Sequence, residues 1–234
     1  MTSSGMARVG RLAGQGDCDS PSIARMRRWA VGAVLSMVMF SAGMPSWAAE
    51  DPALTAEPRK LIEVTADKVV AILARQDQPA DVRVHEIEKI AYEVFDFTTM
   101  SKLVLARNWR KLSKDKKREF VHEFKRSLSR TYGTRLDRYE QEKVEIFGTQ
   151  VEPRDDVTVK TKIVGGQYDG AELSYRLRKR SDRWRIIDVV IEGVSLVSNY
   201  RSQFAEILNN GTIDDLLDKL RDKNFKLEDG EKKS

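Results

Sequence analysis

The chain has 234 residues, 41% of them hydrophobic, and 41 Lys and Arg against 36 Asp and Glu give a formal charge of +5. That is enough apolar material for one sizeable core, and no Pro- or Gly-rich linker divides residues 55–222. Once residues 1–48 are set aside as an expected export signal, the balance falls to +2, which argues against a nucleic-acid binder, whose phosphate contacts need a clear basic excess.

The N-terminus reads as an export signal. Arg27 and Arg28 precede an uncharged apolar run from Trp29 to Phe40, and Pro45 and Ser46-Trp47-Ala48 follow. Basic start, short apolar centre and small residues at the end are what a signal peptidase reads. A run of about twelve apolar residues is also shorter than the roughly 20 of a spanning helix. Residues 1–48 are therefore expected to be removed, with cleavage after Ala48 or, one residue later, Ala49. Met26 would make a more ordinary start than Met1, so residues 1–25 read either as an over-called start or as part of a long leader. Five Arg and two Asp leave with this segment, so 36 basic and 34 acidic side chains remain, a balance of +2. Cys18, the single cysteine, leaves too. The mature protein is expected to be exported and held together by packing alone, without disulfide or thiol chemistry.

Residues 49–222 then read as one domain and 223–234 as a charged, flexible tail. The first helix is expected from about Glu57 to Gln76, with Ile62, Ala66, Val69 and Leu73 on one face. Pro79 ends it, and Asp81 is placed to cap a second helix whose face is Val84, Ile87, Ala91 and Val94. Thr98 or Thr99 caps a short third helix with Met100, Leu103 and Val104. Ser113 caps a long fourth one whose seam is Phe120, Phe124, Leu128, Tyr132 and Leu136. Here the period changes from 3.6 to 2. Val144 and Ile146 form a short strand, and Val157, Val159, Thr161 and Ile163 a half-buried one. Gly165-Gly166 begins a turn, and Ala171, Leu173, Tyr175 and Leu177 alternate along the next strand. Ser181-Asp182-Arg183 reverses the chain.

The stretch from Trp184 to Leu208 joins both periods. Trp184 to Ile191 is a β-branched run without Pro or Gly. Strict alternation puts Trp184, Ile186, Asp188 and Val190 on one face and Arg185, Ile187, Val189 and Ile191 on the other, so the strand is expected to be covered twice. Past Gly193, the residues Val197, Tyr200, Phe204 and Ile207 form a helical stripe. Asn209-Asn210-Gly211 is a C-cap, and Thr212 starts a last helix with Ile213, Leu216, Leu217 and Leu220. Helices first and an antiparallel meander second predict an α+β fold.

The run IEGVSLVSNYRSQF, preceded by W-x-I-x-D, together with FDFTTMSKLVLARNWRKLSKDKKREFVHEFKRSLSRTYGTRL upstream, resembles the phospholipid-binding proteins of the Mla (maintenance of lipid asymmetry) system. These are also known as toluene-tolerance components of an ABC transporter. The resemblance covers roughly residues 55–222. It implies an antiparallel twisted sheet of about four to five strands wrapped by helices around an apolar cavity, somewhat like the NTF2 cone. It also implies a periplasmic carrier that holds phospholipid as cargo, with no cofactor. Its partners would be an inner-membrane ABC transporter complex and an outer-membrane lipoprotein–porin complex, with outer-membrane lipid asymmetry as the outcome.

Periodicity alone shows a core, not a cavity. Phe97, Met100, Leu103, Val104, Phe124, Tyr132, Val157, Val159, Tyr175, Leu177, Val189, Ile191, Val194, Val197, Tyr200 and Phe204 are ordinary core residues on one reading. On the resemblance, a subset lines an acyl-chain pocket, Tyr and Met being favourable because they tolerate a guest of variable length. Two acyl chains carry about 30 methylenes at roughly 0.8 kcal/mol each, or about 24 kcal/mol gross. That exceeds the practical ceiling for non-covalent affinity, about 18–21 kcal/mol, so chain ordering and incomplete burial must offset part of it. Even the remainder makes release into water slow, and such a carrier needs a docking partner to open it.

Two other classes stand beside the carrier. A cone-shaped isomerase or dehydratase would need a buried acid or base. Asp188 could serve if its surroundings were apolar, or it could simply pair with a basic neighbour or backbone N–H groups. His85 and His122 lie far apart on helices beside Glu86 and Glu123, and no nucleophile triad, spaced metal-ligand set or phosphate-cradling glycine loop is readable, which points away from an enzyme. A periplasmic adaptor that binds only proteins is the second alternative; the charged strand positions Lys160, Lys162, Arg176 and Arg178 argue against a greasy exterior on the sheet. Finally, Arg107, Arg110, Lys111, Lys114, Lys116, Lys117 and Arg118 crowd one helix boundary, with Lys125, Arg126, Arg130, Arg135 and Arg138 beyond. Glu119, Glu123 and Asp137 among them fit a solvated face. The functional reading is an approach surface for anionic headgroups or an acidic partner.

Overall fold

Within residues 52–133 and 142–222, the part of the chain that the computed structural model describes, six α-helices and five strands follow in the predicted order. Those residues belong to one compact unit, Trp47–Ser234. The expected signal segment, Arg135, Leu136, Asp137, Arg138 and the 223–234 tail lie outside the described residues.

The helices are α1 (Pro52–Leu73), α2 (Ala80–Val94), α3 (Phe97–Leu105), α4 (Lys114–Gly133), α5 (Leu196–Asn210) and α6 (Ile213–Arg221). A short 3-10 segment, Ala106–Lys111, links α3 to α4. The strands are β1 (Lys143–Val151), β2 (Val157–Val164), β3 (Glu172–Arg180), β4 (Arg183–Ile191) and β5 (Val194–Ser195), paired in sequence order and all antiparallel. This is an α+β fold with an open five-stranded meander.

Two local expectations change at helix starts. The first turn of α3 is capped by Asp96, whose carboxylate accepts from the Thr99 amide at 2.8 Å and the Thr99 hydroxyl at 2.6 Å; Thr98 and Thr99 are already helical. A carboxylate satisfies an orphan first-turn donor more strongly than a hydroxyl. Helix α2 has Pro79 at its N-cap without a side-chain cap, and Asp81 sits within the first turn, where it complements the dipole instead. Ser113 caps α4, accepting from the Lys116 amide at 3.2 Å, and Thr212 with Asp215 forms a capping box on α6.

Strand β4 corrects the predicted alternation. Leu177 pairs with Ile186 and Arg176 with Asp188, so Ile187 is an extra residue in a bulge. The inward set is therefore Trp184, Ile186, Val189 and Ile191, which pack together, and not one of the two strictly alternating sets. Beyond the bulge Ile187 and Asp188 are also buried, so the strand is covered on both faces as expected.

Two cores result. One is helical: Met100 and Val104 of α3, Phe120 and Phe124 of α4, Tyr200 and Phe204 of α5, and Leu216, Leu217 and Leu220 of α6. The other lies between α1 and the sheet, where Ile62 meets Val157, Val159, Leu177, Ile186 and Val189. The space between these cores, roofed by α1 and α2, holds the candidate site.

Candidate functional site

The two amphipathic helices at the start of the chain supply the roof. Ile62, Ala66, Val69 and Leu73 of α1 and Val84, Ile87, Ala91 and Val94 of α2 all face one cavity of about 390 Å³. Its floor is Phe95, Phe97 and Met100, its side wall Leu128 and Tyr132 of α4, and its far wall the sheet residues Val144, Ile163, Leu173, Tyr175, Ile186, Val189 and Ile191. The volume falls in the 300–1,000 Å³ range of small-molecule pockets. Almost every lining atom is apolar, and the polar ones belong to a few residues such as Thr65, Glu88, Ser129, Glu142 and Tyr168.

The roof helices show why a cavity exists here at all. Ala66, Val69, Val84, Ala91 and Val94 point inward yet are only half-buried, whereas inward residues of α4 such as Phe124 are fully buried. Small side chains at Ala66 and Ala91 do not reach across to the sheet. Helix α2 is held chiefly to α1, through Ile72, Leu73 and Ile87 and the Arg83 guanidinium donating to the Leu73 carbonyl at 2.9 Å. Towards α4 it makes polar contacts, Tyr92 Oη with Ser129 Oγ at 3.2 Å and Lys125 over the Tyr92 ring.

The residues nominated from sequence separate into groups. Phe97, Met100, Tyr132, Tyr175, Val189 and Ile191 line the cavity. Val157, Val159 and Leu177 are fully buried in the α1–sheet core behind it. Leu103, Val104, Phe124, Val197, Tyr200 and Phe204 belong to the helical core or pack against it. There the rings of Phe120, Phe124, Tyr200 and Phe204 approach one another with centroids 5.2–5.7 Å apart and fill the space solidly. Val194 is 48% exposed on β5 and faces solvent. The α1 and α2 stripes, read from sequence only as core faces, supply much of the lining, with a short alanine at the centre of each.

Burial raises the Tyr175 hydroxyl above its ordinary pKa, with the Thr161 hydroxyl opposing, and burial likewise raises Tyr200. Both phenols stay neutral at physiological pH, as suits an apolar interior. Asp188 is not aimed into the cavity. Its Oδ1 accepts from the Val197 amide at 3.0 Å and its Oδ2 from the Ser195 hydroxyl at 2.6 Å. Both oxygens are thereby engaged in starting α5, one by a backbone N–H as expected and the other by a hydroxyl. Among the described residues, no group of three or more His, Cys, Asp or Glu could hold a metal ion. No described helix is long and apolar enough to cross a membrane.

An open antiparallel meander, a layer of helices and an apolar chamber between them define the class, an α+β protein with a pocket between sheet and helices. Residues 63–222 match the family described as MlaC protein, and the chain belongs to that family. It is 24% identical over 135 residues to the toluene tolerance protein ttg2D of Pseudomonas putida, a match that covers 56% of this chain and 63% of that one. The chain thus aligns with less than two thirds of that relative's length. In structure it resembles a phospholipid-binding protein from Ralstonia solanacearum, solved in complex with a phospholipid. That likeness has a TM-score of 0.64 at 23% identity and covers 71% of this chain and 96% of the other, and it establishes the shared fold.

Proposed function

We propose that this protein is a periplasmic phospholipid carrier. It holds acyl chains in the cavity beneath α1 and α2 and shuttles lipid between an outer-membrane lipoprotein–porin complex and an inner-membrane ABC transporter complex, maintaining outer-membrane lipid asymmetry. Membership of the MlaC family supports this reading, as do the toluene-tolerance relative and the fold shared with a protein crystallised with phospholipid. Residues 1–48 would direct export and be removed, and residues 49–222 would form the carrier domain.

The observation that carries the reading is the size and apolar lining of the cavity. The apolar chamber of about 390 Å³ leaves the inward faces of α1 and α2 half-buried and short of packing partners. Acyl chains lying there would supply those contacts. Membership of a family with a phospholipid-binding fold neighbour supports binding and release as the role, in preference to catalysis. Asp188 stands apart from the chamber, its oxygens accepting from the Ser195 hydroxyl and the Val197 amide.

Native mass spectrometry of the purified mature protein, followed by solvent extraction, tests the proposal. Stoichiometric phospholipid supports it. Folded protein that is empty and takes up no lipid from liposomes would contradict it and favour the adaptor reading.

A further inference from the structure

The basic cluster noted in the sequence occupies one end of the fold. Arg107, Arg110 and Lys111 lie on the 3-10 segment, and Lys114 and Arg118 on the first turns of α4, all exposed. Residues three apart eclipse one another on a 3-10 helix, so Arg107 and Arg110 share a face.

Three independent features distinguish this cluster from an ordinary solvated face. First, Arg107, Arg110, Lys111 and Lys114 form no ion pair among the described residues, whereas neighbouring Lys116 pairs with Glu119 and Asp214, and Arg118 with Asp115. Second, Lys114, Lys116, Lys117 and Arg118 crowd the N-terminal end of α4, where the helix dipole disfavours cations, and Asp115 is the acidic residue of the first turn. Third, Ala106 turns the chain into the 3-10 segment at φ 46° and ψ −121°, a conformation an L residue rarely adopts. Local rules are broken here, a pattern expected at functional places.

The cluster is also remote from the lipid cavity. The cavity touches α4 at Leu128, Ser129, Tyr132 and Gly133, and Lys114 stands about 27 Å from Tyr132 along the helix axis. A headgroup emerging beside Tyr132 would not reach it. Nor does the cluster present an anchor for a bilayer: the large apolar residues exposed among the described ones are Val82, Phe147, Val151 and Val194, all on other elements. Trp109, the aromatic within the cluster, is half-buried beneath Lys117.

We infer that Arg107, Arg110, Lys111 and Lys114 form a docking surface for an acidic face of a protein partner, separate from the lipid cavity. The surface steers and orients the carrier while the cavity end stays free to give or take its cargo. The inference rests on the carrier reading for the step it serves.

The test is the charge-reversed protein R107E/R110E/K111E/K114E beside a milder version with Gln at the same four positions. Each is expressed with its leader in cells lacking the native gene, and each is also purified in mature form. Both variants should fold, since they remove cations from the wrong end of a helix dipole. Both should load phospholipid from phosphatidylethanolamine vesicles as wild type does. In cells, at equal periplasmic amounts, the reversed protein should lose at least tenfold in its ability to restore detergent resistance, and the Gln version should be intermediate. Wild type should not sediment with pure phosphatidylglycerol vesicles at physiological salt. Full restoration of resistance by the reversed protein would overturn the inference. So would sedimentation of wild type, but not the variant, with those vesicles, which would assign the surface to a bilayer. Loading is scored separately, so an empty wild-type protein counts against the carrier reading and leaves the cell comparison as the judge of the surface.

Discussion

Asp188 of β4 holds the Val197 amide of α5, Oδ1 accepting at 3.0 Å, while its other oxygen accepts from Ser195. One buried carboxylate thus joins the central strand to the helix that carries Tyr200 and Phe204 into the helical core. Asp188→Ala should lower stability by about 2–4 kcal/mol, because charge-assisted hydrogen bonds are lost and buried donors stranded. Denaturant unfolding measures this, and lipid binding by the molecules that remain folded should be unchanged.

The cavity and the helical core should respond differently to added bulk. Ala91→Phe places a ring in the chamber from the roof and should cut lipid occupancy several-fold with a change in stability of less than about 1.5 kcal/mol. Phe124→Ala, in the ring cluster of the helical core, should instead cost about 3–5 kcal/mol while the folded fraction still loads. Native mass spectrometry and urea unfolding on the same samples separate the two effects. Equal occupancy in Ala91→Phe and wild type would remove α2 from the site.

Acid should loosen the corner where α3 begins. Burial pushes the Asp96 carboxyl up, but hydrogen bonds from Thr99 and the charges of Arg180 and Arg185 outweigh it and hold the pKa below the ordinary carboxylate value. A depressed pKa contributes stability that is present above the unfolded value, about 3.9, and is lost as pH falls through the folded one. Thermal unfolding from pH 6 to pH 3 should therefore show a steeper fall in wild type than in Thr99→Val, where two of these hydrogen bonds become one. Parallel curves would refute this account of the cap.

Gly166 sits at φ +64°, and a methyl group there would lie 2.4 Å from Oε1 of Glu142, a buried residue that lines the cavity. Gly166→Ala combines left-handed strain with a clash, and should cost about 1–2 kcal/mol. Gly165, also at positive φ but with open space around it, is the control: its substitution should show the backbone cost alone.

Much of this was legible in the chain. The helical stripes of α1 and α2, the switch to period 2 after α4, and the strand-to-helix passage near Gly193 all follow from residue spacing, and they define the α+β order. Two things were not legible. The bulge at Ile187 shifts Val189 and Ile191 onto the face of Ile186, and no local residue preference marks where an extra strand residue will be accommodated. Packing density was the other. Phe124 and Leu128 lie on the same seam of α4, yet one is locked among rings and the other borders the chamber. Spacing tells that a residue points inward; whether something meets it there depends on the side chains of distant elements, such as Ala66 and Ala91.

The central claim, that acyl chains lie between the α1–α2 roof and the sheet, is tested most directly by a phospholipid carrying a diazirine at the end of one chain. The mature protein is loaded with it from vesicles and irradiated, and the adducts are mapped by peptide mass spectrometry. The account predicts adducts on the chamber walls, at residues such as Ala66, Ala91, Met100 or Val189. Adducts confined to the helical core around Phe124 and Phe204, or to the exposed surface, would contradict it.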